Sequence, residues 1–116
     1  MNDSSTTVAE LMQLVDRFVA ERDWERFHDP KNLSASIAIE AAELMEHFQW
    51  VRSEDLDALR TDPDAMAKIT DEVADVAAYL LSFASTMGID LSSALKAKMI
   101  KNAIKYPADQ YRGRYK

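Results

Sequence analysis

Two pairs of acids, each pair three residues apart, are the first candidates for chemistry. Glu40 and Glu43 stand in "IEAAELMEHF" (39–48), Glu72 and Asp75 in "DEVADVAAYL" (71–80). Aligned with an offset of 32 residues, Glu40 falls on Glu72, Glu43 on Asp75, Leu44 on Val76, His47 on Tyr79 and Phe48 on Leu80. Side chains at i, i+3 share one helix face. At about 100° per residue, Leu33, Ile37, Leu44 and Phe48 lie to one side of Glu40, with Glu43 on the other. Ile69, Val76, Leu80 and Phe83 stand in the same relation to Glu72 and Asp75. If the helices pack antiparallel through these apolar stripes, four carboxylates converge at one end of the core. Acids so close stay ionised only with a cation among them. Hard divalent ions take oxygen ligands, and Mg²⁺ in particular is shared between a few carboxylates and substrate phosphates. Either pair alone is usually a solvated helix face. A di-iron site wants two Glu-x-x-His motifs. Only Glu25–His28 has that spacing, beside Pro30, and His47 follows no Glu by three.

Helical periodicity supplies the elements that position these acids. Val8, Leu11, Met12, Val15, Phe18 and Val19 form a stripe over 7–22, with Thr6 or Thr7 as N-cap. "DWERFHDPKN" interrupts it, and Pro30 disfavours helix at Asp29. A second helix is expected from Asn32 or Ser34 to about Val51, followed by a short helical connection, "SEDLDALR", capped by Ser53. Asp62 as cap, Pro63 at the first position and Gly88 just past the end bound a long third helix. A fourth, capped by Asp90 or Ser92, stops before Pro107. Residues 1–6 and 108–116 read as flexible termini. No strand-like alternation occurs. The fold class is therefore all-α, a four-helix bundle-like domain with antiparallel neighbours.

The 116 residues make one domain, 1–116, and 47% apolar with 29% charged content argues for a folded chain. No apolar run is long enough to span a membrane. The polar, acidic start, "MNDSSTTVAE", is not a secretory signal. The absence of cysteine excludes disulfides and thiolate metal sites and fits a reducing cytoplasm. A net charge of −6 argues against nucleic-acid binding. Yet from Lys96 onward there are seven Lys or Arg and one acid, Asp109. That asymmetry suits a phosphorylated small molecule held by metal and basic side chains together, or else a solvated basic tail.

"FVAERDWERFHDPKNL", "IEAAELMEHFQW", "DEVADVAAYL" and "KMIKNAIKYP", in this order, resemble the MazG-like all-α nucleoside triphosphate pyrophosphohydrolases, above all the branch containing the dCTP pyrophosphatases. The resemblance runs from Phe18 to Pro107. It implies that Glu40, Glu43, Glu72 and Asp75 bind Mg²⁺, which Mn²⁺ can replace, and that the metal holds a triphosphate for hydrolysis between its α and β groups. Glu43 or Glu46 then orients the attacking water. By position, Trp24 and Trp50 match tryptophans that flank the base, Tyr79 a pocket tyrosine, and Lys98, Asn102 and Tyr106 polar positions near sugar and phosphates. Each aromatic stack on a base contributes about 1–3 kcal/mol, and a lysine offers phosphate a point charge. The competing reading is packing for the tryptophans and an exposed face for Lys98 and Asn102. One position departs from the branch. A pocket histidine nine residues before the first tryptophan is here Val15, which loosens base preference. The resemblance also implies a homo-oligomer, a dimer or dimer of dimers.

The function expected is Mg²⁺-dependent hydrolysis of nucleoside triphosphates, foremost dCTP or modified dCTP, to monophosphate and pyrophosphate, in nucleotide-pool sanitation. The alternative is a catalytically silent nucleotide-binding or assembly module of the same fold. A regulator acting on nucleotide alarmones is a third reading.

Overall fold

The structure, a computed structural model, describes residues 1–114. Helix α1 (Val8–Glu21) starts at Thr7, whose hydroxyl accepts from the Glu10 amide at 3.1 Å. α2 (Pro30–Glu46) begins earlier than its polar residues suggested. Asp29 is the cap, accepting from the Asn32 amide at 2.8 Å. Proline suits the first helical position, where no amide hydrogen is needed. α2 also ends earlier, at Glu46 and not near Val51. The His47 and Phe48 amides bond back three residues, to Leu44 and Met45, and tighten the chain into turns. Trp50 thus lies beyond the helix.

A 3₁₀ turn, Ser53–Asp55, and α3 (Leu56–Arg60) connect to α4 (Pro63–Met87). Asp62 caps α4 through the Asp64 and Ala65 amides, at 3.1 and 3.3 Å. Gly88 closes it at φ +67°, with the Ile89 amide reaching back to the Ala84 carbonyl at 2.8 Å. Asp90 caps α5 (Leu91–Lys105) through the Ser93 amide. Bonds from Ser93 hold the Asp90 carboxyl below its ordinary pKa. α6 (Ala108–Tyr111) is one turn of helix inside the expected flexible tail, and Tyr111 meets Tyr106 edge-on at 5.2 Å. The last two residues of that tail lie outside the described residues.

α4 is the spine. α2 lies along it and α1 packs beside it. The pairing with α2 is antiparallel: His28, before α2, lies by Tyr79, and His47, after it, lies by Glu72. The buried apolar core is small, comprising Val19, Leu33, Leu81 and Ala84. Leu33 fulfils the expected stripe, but Phe48 and Leu80 remain 37% and 44% exposed. α5 stands off from the other helices. Its residues 92–101 are all exposed, including Leu95, Met99 and Ile100. The radius of gyration, 17.3 Å, exceeds the roughly 13 Å of a compact chain of this length. Among the described residues the fold is all-α as expected, with α5 extended away from α1, α2 and α4.

Candidate active site

Glu40 and Glu43 project from α2 towards Glu72 on α4, and one carboxylate oxygen from each lies within 4.8 Å of the others. Glu40 and Glu72 are half-buried, Glu43 is exposed. One oxygen of Glu40 and one of Glu72, both Oε2, are buried without a hydrogen-bond partner. Loss of solvation, a hydrogen bond with Glu43, and the charges of Glu43, Asp75 and Glu72 push the Glu40 carboxyl up from 4.5 to about 7. Asp75 belongs to this field but stands outside the tightest group. Glu46, in the last turn of α2, is exposed and also outside it. The Nε2 atom of His47 lies 3.9 Å from Oε1 of Glu72.

These features test whether a metal fits. Buried polar atoms are normally satisfied, and two unpartnered carboxylate oxygens facing like charge are not. The donors are all oxygen, the set that hard divalent ions prefer. The residues therefore fit a hard divalent ion, which Glu40, Glu43 and Glu72 would hold with Asp75 alongside.

The remaining expected site residues fall in two groups. Tyr79 sits one turn along α4 from Asp75, with its ring 6.2 Å from His28. Trp24 is 42% exposed and lies edge-on to Phe18 at 5.8 Å. These two lie on the α1–α4 side of the molecule. Trp50 is 88% exposed in the turn after α2. Lys98, Asn102 and Tyr106 ride on α5, and among the described residues no hydrogen bond or ion pair joins them to the acids. Among the described residues α5 packs closely against neither α2 nor α4.

Sequence reading missed a groove of about 430 Å³ between α1 and α4. Its polar wall is Asp16, Glu25, His28, Ser82, Ser85 and Thr86, over a floor of Val19 and Ala20. Ser85 donates its hydroxyl to Oδ2 of Asp16 at 2.8 Å. Ser82 is buried, and Nδ1 of His28 is buried with no partner. A signal was present. Glu72, Asp75, Tyr79, Ser82 and Thr86 repeat at alternating three- and four-residue steps, one continuous polar stripe on a helix.

The MazG-like family profile matches residues 35–116. The dCTP pyrophosphatase 1 of Bos taurus is 36% identical over 110 residues, 95% of this chain and 65% of that protein. The dCTP pyrophosphatase 1 of Homo sapiens is 37% identical over 102 residues, 88% of this chain and 60% of that protein. The chain thus spans under two thirds of the length of these relatives. Among solved structures, a pyrophosphatase from Archaeoglobus fulgidus superposes with a TM-score of 0.79 at 38% identity, covering 92% of this chain and 98% of that one.

Proposed function

The chain belongs to the MazG-like family, and from that premise we propose that it hydrolyses nucleoside triphosphates to a monophosphate and pyrophosphate, with Mg²⁺ and with dCTP-type nucleotides foremost. The observation that carries the proposal is the convergence of Glu40, Glu43 and Glu72 around unpartnered, buried oxygens. The names of the relatives support the reaction and the base.

A divalent ion held by these acids would supply positive charge to the phosphate groups and to the leaving pyrophosphate. The chain's own residues do the rest. Glu43, beside Glu40 and open to solvent, orients the water that breaks the α–β bridge, with Glu46 one turn further as the other candidate. Trp24 and Trp50 stack on the base. Tyr79 lies between acids and groove along α4, where sugar and base pass. Lys98, Asn102 and Tyr106 reach sugar and phosphates from the α5 of another copy, since their own α5 stands away from the acids. The assembly is a homo-oligomer, a dimer or dimer of dimers, and the compartment is the cytoplasm. Among the described residues no helix is long and apolar enough to cross a membrane.

The deciding experiment incubates the protein with a panel of NTPs, dNTPs and modified dNTPs plus Mg²⁺ and identifies the products. Monophosphate with pyrophosphate is expected. Orthophosphate with a nucleoside diphosphate places the cleavage at the wrong bond and removes the proposal.

A further inference from the structure

The groove between α1 and α4 contains polar groups that neither the acid cluster nor the stacking residues explain. Its position is the first clue. Ser82 lies seven residues beyond Asp75 on the same face of α4, about 10 Å along the axis. Tyr79 lies between them, and its neighbour His28 is part of the groove wall. Glu25, next to Trp24 in sequence, is another wall residue. A nucleotide with its phosphates among the acids and its sugar passing Tyr79 therefore has its base at this groove, whose volume of about 430 Å³ is ample for one.

The second clue is chemical. Stacking attracts any base, so discrimination needs polar groups at the base edge. Val15 provides none, but its neighbour Asp16 faces the groove. The Ser85 hydroxyl occupies Oδ2 of Asp16 at 2.8 Å and fixes the carboxylate between α1 and α4. The other oxygen has no hydrogen-bond partner among the described residues. An ionised carboxylate only accepts. It welcomes the exocyclic N–H of cytosine or adenine and repels the carbonyl oxygen that uracil, thymine or guanine places at the same edge.

Resting on the nucleotide-hydrolysis reading above, we propose that this groove is the base pocket and that Asp16, held by Ser85, selects bases carrying an exocyclic amine at that edge. Ser85 is a positioning residue, and Asp16 determines specificity.

The test compares kcat/KM for dCTP, dUTP, dATP and dGTP between wild type and Asp16→Asn, with Ser85→Ala as a second variant. Asparagine keeps the shape of the side chain but adds a donor. The expected result is a fall of tenfold or more in the dCTP-to-dUTP ratio, from loss of dCTP turnover and gain of dUTP turnover. Ser85→Ala should move the ratio the same way by a smaller factor. The dATP and dGTP arms show whether a purine enters the groove, and amine preference in either pair is lost in Asp16→Asn. In parallel, calorimetry of dCMP on metal-free protein should show affinity at least fivefold weaker in Asp16→Asn. A dCTP-to-dUTP ratio and a dCMP affinity both within twofold of wild type, in a folded variant, overturn the proposal and leave the hydrolase reading intact. Failure of wild type to hydrolyse any of the four, while dCMP binding still depends on Asp16, sinks the hydrolase reading and keeps the groove.

Discussion

Burial strips water from the Glu40 carboxyl, and Glu43, Asp75 and Glu72 add negative charge around it, so its proton stays on up to about pH 7. The unfolded chain releases that proton near 4.5. Between those values the folded state binds more protons, so this group's contribution to stability is full below about 4.5 and is lost as pH rises through about 7. Metal-free protein should therefore show a melting temperature that falls across that window. Glu40→Gln should flatten the fall. A wild-type profile unchanged by the substitution removes Glu40 as its cause. Because metal and proton compete for the same oxygens, binding of Mg²⁺ near pH 6 should release protons, visible as buffer-dependent binding heats. Glu43→Gln and Asp75→Asn should each abolish turnover under saturating Mg²⁺ while keeping the helical circular dichroism, since removing like charge relieves repulsion. Retained activity in either variant refutes the metal assignment. At this scale the acids could be read from spacing alone. Asp16 could not, because one aspartate on a helix face is ordinary until Ser85, 69 residues away, is seen beside it.

Helix ends were the most legible elements, because capping is local chemistry. Thr7, Asp62, Pro63, Gly88 and Asp90 all stand where the chain's own residue types put them. Gly88 gives a sharp test. A Cβ there meets nothing within 4 Å, so Gly88→Ala isolates the cost of holding φ +67° with a side chain present. That cost is about 1–2 kcal/mol, measurable by urea denaturation; an unchanged midpoint means that the joint relaxes into another conformation. The ends of α2 were read less well. Its start lies earlier than the polar residues suggest because proline breaks a helix only in its interior and here stands at the first helical position. Its finish lies earlier than the spacing suggests because "HFQWV" keeps helical apolar spacing through a stretch that the backbone folds into turns. The consequence falls on Trp50, which is carried by that turn with 88% exposure. Trp50→Ala should raise KM about five- to hundredfold, the loss of one stack. An unchanged KM with kcat also unchanged leaves no role for it on the base.

The all-α class followed from periodicity, but the shape of the whole molecule did not, because a sequence lists apolar faces without saying whose they meet. Leu95, Met99, Ile100 and Ile104 are between 51% and 75% exposed along α5. Leu14, Phe18, Val73 and Leu80 are open on α1 and α4. So much apolar surface marks a contact face, and a second copy is the partner that the oligomer reading supplies. Leu95→Glu combined with Met99→Glu should reduce the sedimenting mass to that of one chain. An unchanged mass assigns the contact to another face. Within its own chain α5 is held near its first turn, where Ile89 to Ser92 border a cavity shared with the start of α1. An isolated helix of fifteen residues is marginal in water. Its amide hydrogens should therefore exchange with solvent deuterium through brief fraying, far faster than those of α4, whenever the protein is dilute. Raising the protein concentration should slow α5 selectively, so that the protection of one helix reports how many neighbours the chain has found.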